Sequence, residues 1–412
     1  MSSSYRSGIR GWVDGPGLLA LLGLLGAWAT AHGADIYLQP SASATVETDS
    51  NVDLDPGGNT RKEGYLTDAA ALIGVATPDS ETTVKPRLRY QRYPQETQLN
   101  RLEGTLDLNS HVSSQRGSFS LLGRYDHLND TEAESPSALY NDVNPTTPIT
   151  ADSGRAVVGI TRDYVLLQPR YSYRVTPLVS VGASGNYQNT SFSPSDISSH
   201  VGYSYAKGDF FVSRQIGARA EVSAGASYSR YDARKVASTA TSTGGTIGFD
   251  YNWSRTFGSF ATLTFQHSDI NSKLLPPFQG SQQNWGGTAG LSWKAQAQEV
   301  RVNIGRALTP GSGGGLYATD QIQAEYDRDL TERLSYVVAV RGLRTNGLTS
   351  NVSSFDRDYA RGDASVKWMI TRTWMVQGGI SYAWQKYRSI PGSADNNQIF
   401  VRIGYIGLPR QR

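Results

Sequence analysis

Apolar and polar side chains alternate at every second position in many segments of this chain, and this pattern limits the possible folds more than any other feature. Between Val179 and Gln188 the odd-numbered positions carry apolar or small residues, and the even-numbered positions carry polar residues or glycine. The same split recurs in residues 246–253, 300–305 and 377–385. A β-strand turns successive side chains to opposite faces, whereas a helix needs apolar residues three and four positions apart. The pattern therefore predicts strands that have one apolar face and one polar face.

The composition indicates where such strands fit. The 412 residues include 38% hydrophobic residues, 43 glycines and 23 tyrosines, and the mean hydropathy is -0.41. A membrane-spanning helix needs about 20 mostly apolar residues in a row, but a transmembrane strand exposes apolar side chains to lipid only at every second position. These values argue against a helical membrane protein and fit a transmembrane β-barrel. The net charge of +3, without charged runs, gives no reason to expect a nucleic-acid partner.

The first 33 residues have the composition of an export signal. Arg6 and Arg10 form a basic start, 17–28 is the apolar segment, and Ala31-His32-Gly33 is a cleavage motif before Ala34. Cleavage after Ala31 is the alternative, and a membrane anchor is disfavoured because the apolar segment is too short to span. We therefore expect a signal peptide over 1–33 and one barrel domain over 34–412. The chain has no cysteine, which rules out disulfides and a lipoprotein anchor.

Short polar connections give the strand count. They lie near 78–81, 113–117, 176–177, 213–217, 255–258, 296–299, 329–332 and 371–373. Eight turns join sixteen strands, and one further strand at each end, 36–46 and 397–408, makes eighteen; an error of one hairpin leaves sixteen as the alternative. We therefore predict an all-β, antiparallel up-and-down barrel in the outer membrane of a Gram-negative bacterium, with both termini periplasmic. A soluble β-sandwich array or propeller is disfavoured by the signal peptide and by an apolar face of small or aromatic residues.

The polar faces of the strands predict which side chains line the lumen. The basic candidates are Lys85, Arg87, Arg89, Arg101, Arg124, Arg170, Arg174, Arg219, Arg301, Arg341, Arg361, Lys367 and Arg402. The acidic candidates are fewer, namely Glu103, Asp107, Glu221, Asp250, Glu299, Glu325, Asp327 and Asp363. A basic wall would favour anions or acidic sugars in an aqueous channel. The alternative is a network of ion pairs that stiffens the barrel. Three cations on one strand, Lys85, Arg87 and Arg89, should repel one another without an acidic partner.

One outer connection is much longer than the others. Residues 129–155 lack strand alternation and form the third outer loop in the predicted order. Loops of this length in a compact fold are usually functional or disordered. Two alternatives stay open for this loop, and in one of them it folds into the barrel with its carboxylates Asp130, Glu132, Glu134, Asp142 and Asp152 facing the cationic strand. A solvated surface loop, suited to its prolines, serines and threonines, is the alternative.

Catalytic, metal and cofactor sites are not expected. The histidines of the mature chain stand singly, although Asp126-His127 and His267-Ser268-Asp269 are weak candidates for an acid–base pair. No G-x-S-x-G motif occurs, and Gly311 to Gly315 is expected to be a flexible loop tip. Residues 53–59 place carboxylates loosely like a calcium loop but lack its terminal glutamate. The sequence therefore predicts a protein that is not an enzyme.

Three segments carry a resemblance to a known family. The mature start 42–54 (ASATVETDSNVDL), the tract 90–93 (YQRY) and 167–173 (LQPRYSY) followed by a Thr-Pro turn resemble the porin-like β-barrels grouped with EpsL-type exopolysaccharide proteins. The resemblance implies a component of exopolysaccharide biosynthesis or export that assists passage of the polymer. A general or sugar-selective diffusion porin is the alternative, and an outer-membrane barrel enzyme is the least favoured. The expected partners are outer-membrane lipid, the barrel-assembly machinery, a polysaccharide or sugar, and exopolysaccharide secretion components.

Overall fold

The computed structural model describes residues 34–58, 60–134, 157, 159–194, 200–273, 277–349 and 356–411. These residues are almost entirely strands. The strands are β1 Asp35–Asp49, β2 Lys62–Thr77, β3 Ser80–Arg92, β4 Arg101–Ser113, β5 Gly117–Asn129, β6 Thr161–Thr176, β7 Val179–Ser193, β8 Tyr203–Gln215, β9 Ala220–Ala233, β10 Ser238–Asn252, β11 Phe257–Ser272, β12 Phe278–Ala295, β13 Gln298–Gly311, β14 Gly315–Asp329, β15 Leu334–Gly347, β16 Arg357–Met369, β17 Trp374–Tyr387, β18 Ala394–Ile406 and β19 Arg410–Gln411.

The helical elements are short. In the part of the chain that the structure describes, one α-helix, α1, spans Asp130–Glu134, and two 3-10 turns span Thr97–Leu99 and Arg234–Val236. Among the described residues, no helix has both the length and the apolar character needed to cross a membrane.

The sheet closes on itself. Each strand from β1 to β18 pairs antiparallel with the next, and β18 pairs back with β1 from Ser41 opposite Ile406 to Asp49 opposite Gln398. The two residues of β19 add a short pairing with β1 beyond this seam. Closure leaves no edge strand in the lipid, where unpaired backbone groups would be costly. The predicted barrel of eighteen strands is therefore confirmed, and the alternative of sixteen is excluded.

The two ends of the barrel differ in their connections. The eight predicted turns are all present as connections of two to four residues, from 78–79 between β2 and β3 to 370–373 between β16 and β17. Asp35 and Ile406 lie at this same end. Short turns mark the periplasmic side of bacterial outer-membrane barrels. The chain is an outer-membrane protein whose described ends lie on the periplasmic side.

The alternation places apolar side chains on the outside. Ile247, Trp285 and Ile380 are 63%, 63% and 57% exposed, as lipid-facing residues should be. Aromatic rings mark both ends of this apolar band. Near the periplasmic turns, Tyr326 packs edge-on against Tyr336 and further rings stand at 253, 257, 374 and 405. Such girdles position a barrel at the two membrane interfaces.

The β13–β14 hairpin departs from the wall. β12 pairs with β13 only as far as Gly287 opposite Arg306, so the outer part of β13 is free to bend inward. The Tyr231 hydroxyl donates to the Gly311 carbonyl at 2.9 Å, and the Val201 amide donates to the Ser312 carbonyl at 2.8 Å. Residues 310–319 are all buried. The expected flexible loop tip at 311–315 is therefore wrong, because the small residues let the hairpin pack inside the lumen, where it is covered by an apolar cluster.

Candidate functional site

The third outer loop enters the lumen immediately after β5. The Asn129 side chain accepts a hydrogen bond from the Thr131 amide at 3.1 Å and so caps the start of α1. The Asp130 carboxylate accepts from the Val157 amide at 2.9 Å and lies 3.2 Å from His200 Nε2. Because Asp130 is fully buried, these contacts fix where the loop leaves and rejoins the wall.

Glu132 connects α1 to the cationic strand. Its carboxylate accepts from Arg89 Nη1 at 2.9 Å, and Arg101 Nη1 donates to the neighbouring Thr131 hydroxyl at 2.7 Å. Burial on its own would raise the pKa of Glu132, but Arg89, Arg101 and Arg361 outweigh it and lower that pKa. The carboxylate is therefore held in its charged form.

Glu134 connects α1 to a different part of the wall. Arg357, the first residue of β16, donates to the Glu134 carboxylate at 2.9 Å and to its carbonyl at 3.2 Å. Both side chains are fully buried, and the guanidinium stacks 4.6 Å from the centre of the Tyr359 ring. α1 thus links β3 and β4 to β16, strands that are not neighbours in the wall. Asp142 and Asp152 lie outside the described residues.

The cationic strand has an acidic partner that the sequence analysis missed. Asp68 on β2 accepts from Arg87 Nε at 2.7 Å, and Arg89 Nε lies 3.5 Å from the same carboxylate. Lys85 stands opposite Asp107 on β4 in the strand register. Asp68 could have been found from the sequence, since it occupies an inward position in the alternation of β2. The expected repulsion among the three cations is therefore removed by neighbouring strands.

Ion pairs recur along the rest of the wall. Four of the predicted arginines contact carboxylates: Arg101 with Glu103 at 3.5 Å, Arg124 with Asp126 at 2.7 Å, Arg301 with Glu325 at 2.5 Å, and Arg361 with Asp363 at 2.9 Å. Arg402 donates to the Ser43 hydroxyl at 3.0 Å. The expected excess of basic side chains is corrected by inward carboxylates that were not counted, including Glu47 and Asp49. The geometry is that of the ion-pair network held open as an alternative.

The outer half of the lumen is nearly filled. Glu47 accepts from the Gln91 amide at 2.5 Å and from the Tyr93 hydroxyl at 3.0 Å, both buried. Burial and then Glu47 raise the pKa of Tyr93 well above its ordinary value, so the phenol stays a donor. The space left between these groups, Arg89 and Glu132 is a cavity of about 60 Å³, which has room for a few water molecules.

The periplasmic half keeps a larger space. A cavity of about 740 Å³ lies along the inner faces of β3 to β8. Amide and hydroxyl side chains are the most numerous groups in its lining and stand beside charged ones, among them Asn109, Ser120, Gln168, Asn186, Lys207 and Asp209. Arg170 also lines this cavity, with its guanidinium 4.5 Å from the centre of the Phe211 ring. No carboxylate of the described residues lies within ion-pair distance of Arg170.

The remaining predicted lumen residues lie near the periplasmic end. Arg174 and Lys367 are exposed on β6 and β16. Arg219 lies in the turn before β9 and donates to the Trp253 carbonyl at 3.3 Å, so it belongs to the barrel rim. Glu221 and Asp250 stand directly opposite each other on β9 and β10. This end of the lumen therefore carries both cations and carboxylates.

The weak acid–base candidates do not form a catalytic site. Asp126 faces inward and accepts from Arg124, whereas His127 faces outward and lies 2.8 Å from Asp163. His267 and Asp269, 3.4 Å apart, also stand on the outer surface. Within the described ranges, no group of three or more histidine and carboxylate side chains could hold a metal ion.

A closed barrel with an apolar outside, a polar lumen and the short helix α1 folded inward defines the class: this chain is an outer-membrane β-barrel. No protein-family model matches it, and no curated protein matches it. Among solved structures it is similar to Acinetobacter baumannii OccAB3, with 8% identity, a TM-score of 0.46, and coverage of 91% of this chain and 99% of that chain. It is also similar to Pseudomonas aeruginosa OccK2 (OpdF) in complex with glucuronate, with 10% identity, a TM-score of 0.44, and coverage of 90% and 98%. A third is Pseudomonas aeruginosa OpdK with vanillate, with 9% identity, a TM-score of 0.44, and coverage of 91% and 99%. Likeness at this identity concerns fold, and no substrate is carried over from it.

These findings correct the expected function. The assignment to exopolysaccharide biosynthesis or export is wrong: no family model or curated protein of that kind matches, and the solved structures named above are outer-membrane porins. The lumen gives a physical reason. α1 and the buried ion pairs occupy the outer half, through which an extended polymer would have to pass.

Proposed function

We propose that this chain is a selective diffusion porin that lets small hydroxylated solutes cross the outer membrane and excludes longer oligosaccharides. The observation that carries the proposal is that α1 is attached inside the lumen to two distant strands. Glu132 pairs with Arg89 on β3, and Glu134 pairs with Arg357 on β16. A buried ion pair that loses one partner costs about 3 to 5 kcal/mol. Two such attachments make α1 a fixed part of the lumen, which narrows the path for a solute.

The cavity in the periplasmic half of the lumen supports small hydroxylated molecules as the solute class. Sites for small molecules commonly enclose about 300 to 1,000 Å³, and the cavity of about 740 Å³ falls within this range. Amides and hydroxyls both donate and accept hydrogen bonds, as the hydroxyl groups of a sugar do. Because these groups lie on rigid strands, they can form hydrogen bonds to a solute that replace some of the hydrogen bonds it makes to water. This surface suits a sugar-sized solute that moves through without binding tightly.

Arg170 adds a preference for acidic members of that class. A guanidinium presents a planar pair of donors that fits a carboxylate or two adjacent hydroxyls. Stacking on Phe211 fixes the plane of the Arg170 guanidinium while its polar edge stays available to the cavity. We therefore propose faster passage for a sugar acid than for the neutral sugar of the same size.

Liposome swelling tests this function. Purified protein in proteoliposomes is placed in isotonic arabinose, glucose, glucuronate, sucrose and raffinose, and the swelling rate reports the entry of each solute. We expect monosaccharides to enter several-fold faster than raffinose, with glucuronate ahead of glucose. Vesicles without protein are the control. Equal rates for all of the sugars, or no entry of any, would overturn the proposal.

We also propose the steps that bring the chain to the membrane. Residues 1–33, which lie outside the described residues, act as an export signal that is removed before Ala34 or after Ala31. The barrel-assembly machinery then inserts the mature chain, with β18 closing against β1. Mass spectrometry of the N-terminus of the mature protein from the outer membrane would identify the cleavage point, and an intact 1–33 would contradict it.

A further inference from the structure

A row of alternating charges crosses the outer surface of five consecutive strands. In the register of β13 to β17, Arg306 stands opposite Asp320, Asp320 opposite Arg344, Arg344 opposite Asp358, and Asp358 opposite Lys386. Two of these neighbours form ion pairs: Arg306 with Asp320 at 3.6 Å, and Arg344 with Asp358 at 2.6 Å. We call these five residues the charged row.

The charged row faces away from the lumen. Its members share the strand face of lipid-exposed residues, such as Ile304 next to Arg306 and Ile322 next to Asp320, which are 50% and 49% exposed. The Arg306 guanidinium also stacks 5.1 Å from the centre of the Trp285 ring, which is itself on the outer surface. The row is therefore part of the surface that meets the membrane or the layer directly outside it.

The position of the row along the strands places it at the outer interface. Trp285 and Arg306 lie well away from the periplasmic turn at 296–297 that joins their strands. From Arg306 the row follows the pairing direction of tilted strands, so it rises obliquely toward the outer loops. An arginine or lysine facing lipid costs about 2 to 4 kcal/mol at the midplane but about 0 to 1 kcal/mol near the interfaces. A row of five charges is thus compatible with the headgroup layer and not with the hydrocarbon.

We propose that the charged row binds the phosphate groups of an anionic glycolipid in the outer leaflet. Three cations against two carboxylates leave the row positive, and no carboxylate of the described residues lies within ion-pair distance of Lys386. Neighbouring strands are about 4.8 Å apart, so cations on alternate strands stand about 10 Å from each other. That spacing suits a sugar headgroup that carries a phosphate at each end.

The two carboxylates give the arginines a defined orientation. A guanidinium has five N–H donors in a fixed fork, and a bond to one carboxylate leaves the others available. Asp358 holds Arg344 in this way, and Asp320 holds Arg306. A phosphate that approaches from the membrane would therefore meet donors already placed, which lowers the entropy cost of binding.

Lipid binding by the purified full chain tests the proposal. Native mass spectrometry compares diphosphoryl lipid A, monophosphoryl lipid A and phosphatidylglycerol, with EDTA present so that no divalent cation bridges phosphate to the carboxylates. The double variant R344Q/K386Q removes two cations of the row. The matched control R214Q/R328Q removes two outward-facing arginines at the periplasmic end. Heat-modifiable migration in gels confirms that each variant is folded.

The expected result is a preference for diphosphoryl lipid A that falls at least about tenfold in R344Q/K386Q and is unchanged in the control, as the loss of charged hydrogen bonds predicts. Because Lys386 forms no ion pair with the described residues, K386Q alone should leave the barrel folded and weaken binding several-fold. Equal binding of all three lipids, an equal loss in the control, or binding that requires added calcium would overturn the proposal.

Discussion

The replacement of Glu132 by glutamine tests whether α1 controls the width of the lumen. Glutamine keeps the size of the side chain and removes its charge, so it changes the contact with Arg89 at 2.9 Å without a new steric clash. Glu132 is 18% exposed and Arg89 is 7% exposed, so water screens this contact little. We expect E132Q to weaken the attachment of α1 to β3 while the contact between Glu134 and Arg357 remains.

The size of the effect follows from what Arg89 retains. A hydrogen bond to a charged group contributes about 1.5 to 3 kcal/mol. Arg89 would not become an uncompensated charge, because Asp68 at 3.5 Å and Glu103 at 3.8 Å stay nearby. We therefore expect a loss near the lower end, about 2 kcal/mol. Since 1.4 kcal/mol is tenfold in an equilibrium constant, the detached fraction of the loop should rise about thirtyfold.

Single-channel recording in planar bilayers measures this change. E132Q should open to a higher conductance level more often than the unchanged protein. E63Q, which removes an exposed carboxylate from the outer surface of β2, is the matched control and should behave like the unchanged protein. If E132Q and E63Q gave the same traces, α1 would not control conductance and the reasoning from the ion pair would be wrong.

Acid should reproduce the effect of E132Q. The pKa of Glu132 is lowered when α1 is attached, because Arg89, Arg101 and Arg361 together outweigh the effect of burial. Such a group stabilises the attached state fully above its ordinary pKa of about 4.3, and the stabilisation is lost as pH falls through the lowered value. The unchanged protein should therefore open more often below about pH 4, whereas E132Q should show no such step. If opening increased equally at low pH in both proteins, groups other than Glu132 would be responsible for the pH dependence.

Three further changes test the barrel and its cavity. I247R places a cation on the exposed lipid face near the middle of β10 and should reduce the free energy of unfolding by about 2 to 4 kcal/mol in urea titrations from lipid vesicles; an unchanged value would mean that the faces are inverted. R170E should shift the reversal potential in a salt gradient toward cations, with R170Q intermediate, and an unshifted potential would remove Arg170 from the solute path. Deletion of Asn397–Arg412 removes most of β18, so β1 and β17 lose their partner, and this form should not reach the heat-modifiable state in outer-membrane fractions.

The strand count and the two faces could be predicted from the sequence because both signals are local. Alternation over about ten residues fixes which side chains share a face, and short polar turns mark every second connection. Parity alone predicts that Arg170 and Arg301 share a face with the polar residues of their strands. Once the strands are assigned, their pairing in a closed barrel needs no further information, because each strand pairs with the next one in the chain without crossovers.

The partners of those side chains could not be predicted in the same way. Glu134 and Arg357 are 223 residues apart in the sequence, and their contact depends on how a loop folds inside the barrel. Asp68 was missed for a different reason: its parity is visible in the sequence, but only the register between β2 and β3 shows that it stands opposite Arg89, where it also reaches Arg87. The inward course of the β13–β14 hairpin likewise follows from the early end of its pairing with β12.

The expected function failed because strand and turn motifs say little about what passes through a barrel. Segments such as LQPRYSY record alternation and a turn, which any barrel of this kind needs. The basic residues were a better guide, but their number overstated their effect, since a cation beside a carboxylate contributes little net field to the lumen. Arg170 lines the cavity and has no carboxylate partner among the described residues, and this combination is a property of the folded wall.

The two halves of the lumen therefore have separate physical roles. The outer half holds paired charges that are buried together, so a single loss such as Glu134 or Arg357 would leave a charge without compensation at a cost of about 3 to 5 kcal/mol. The periplasmic half is a solvated cavity of about 740 Å³ whose amides and hydroxyls can be exchanged at little cost to the fold. The outer half, where substitutions destabilise the fold, sets the size limit for a solute. The periplasmic half, where substitutions cost little, sets the preference among solutes. Substitutions around the cavity can thus change which solute passes without loosening the constriction that limits its size.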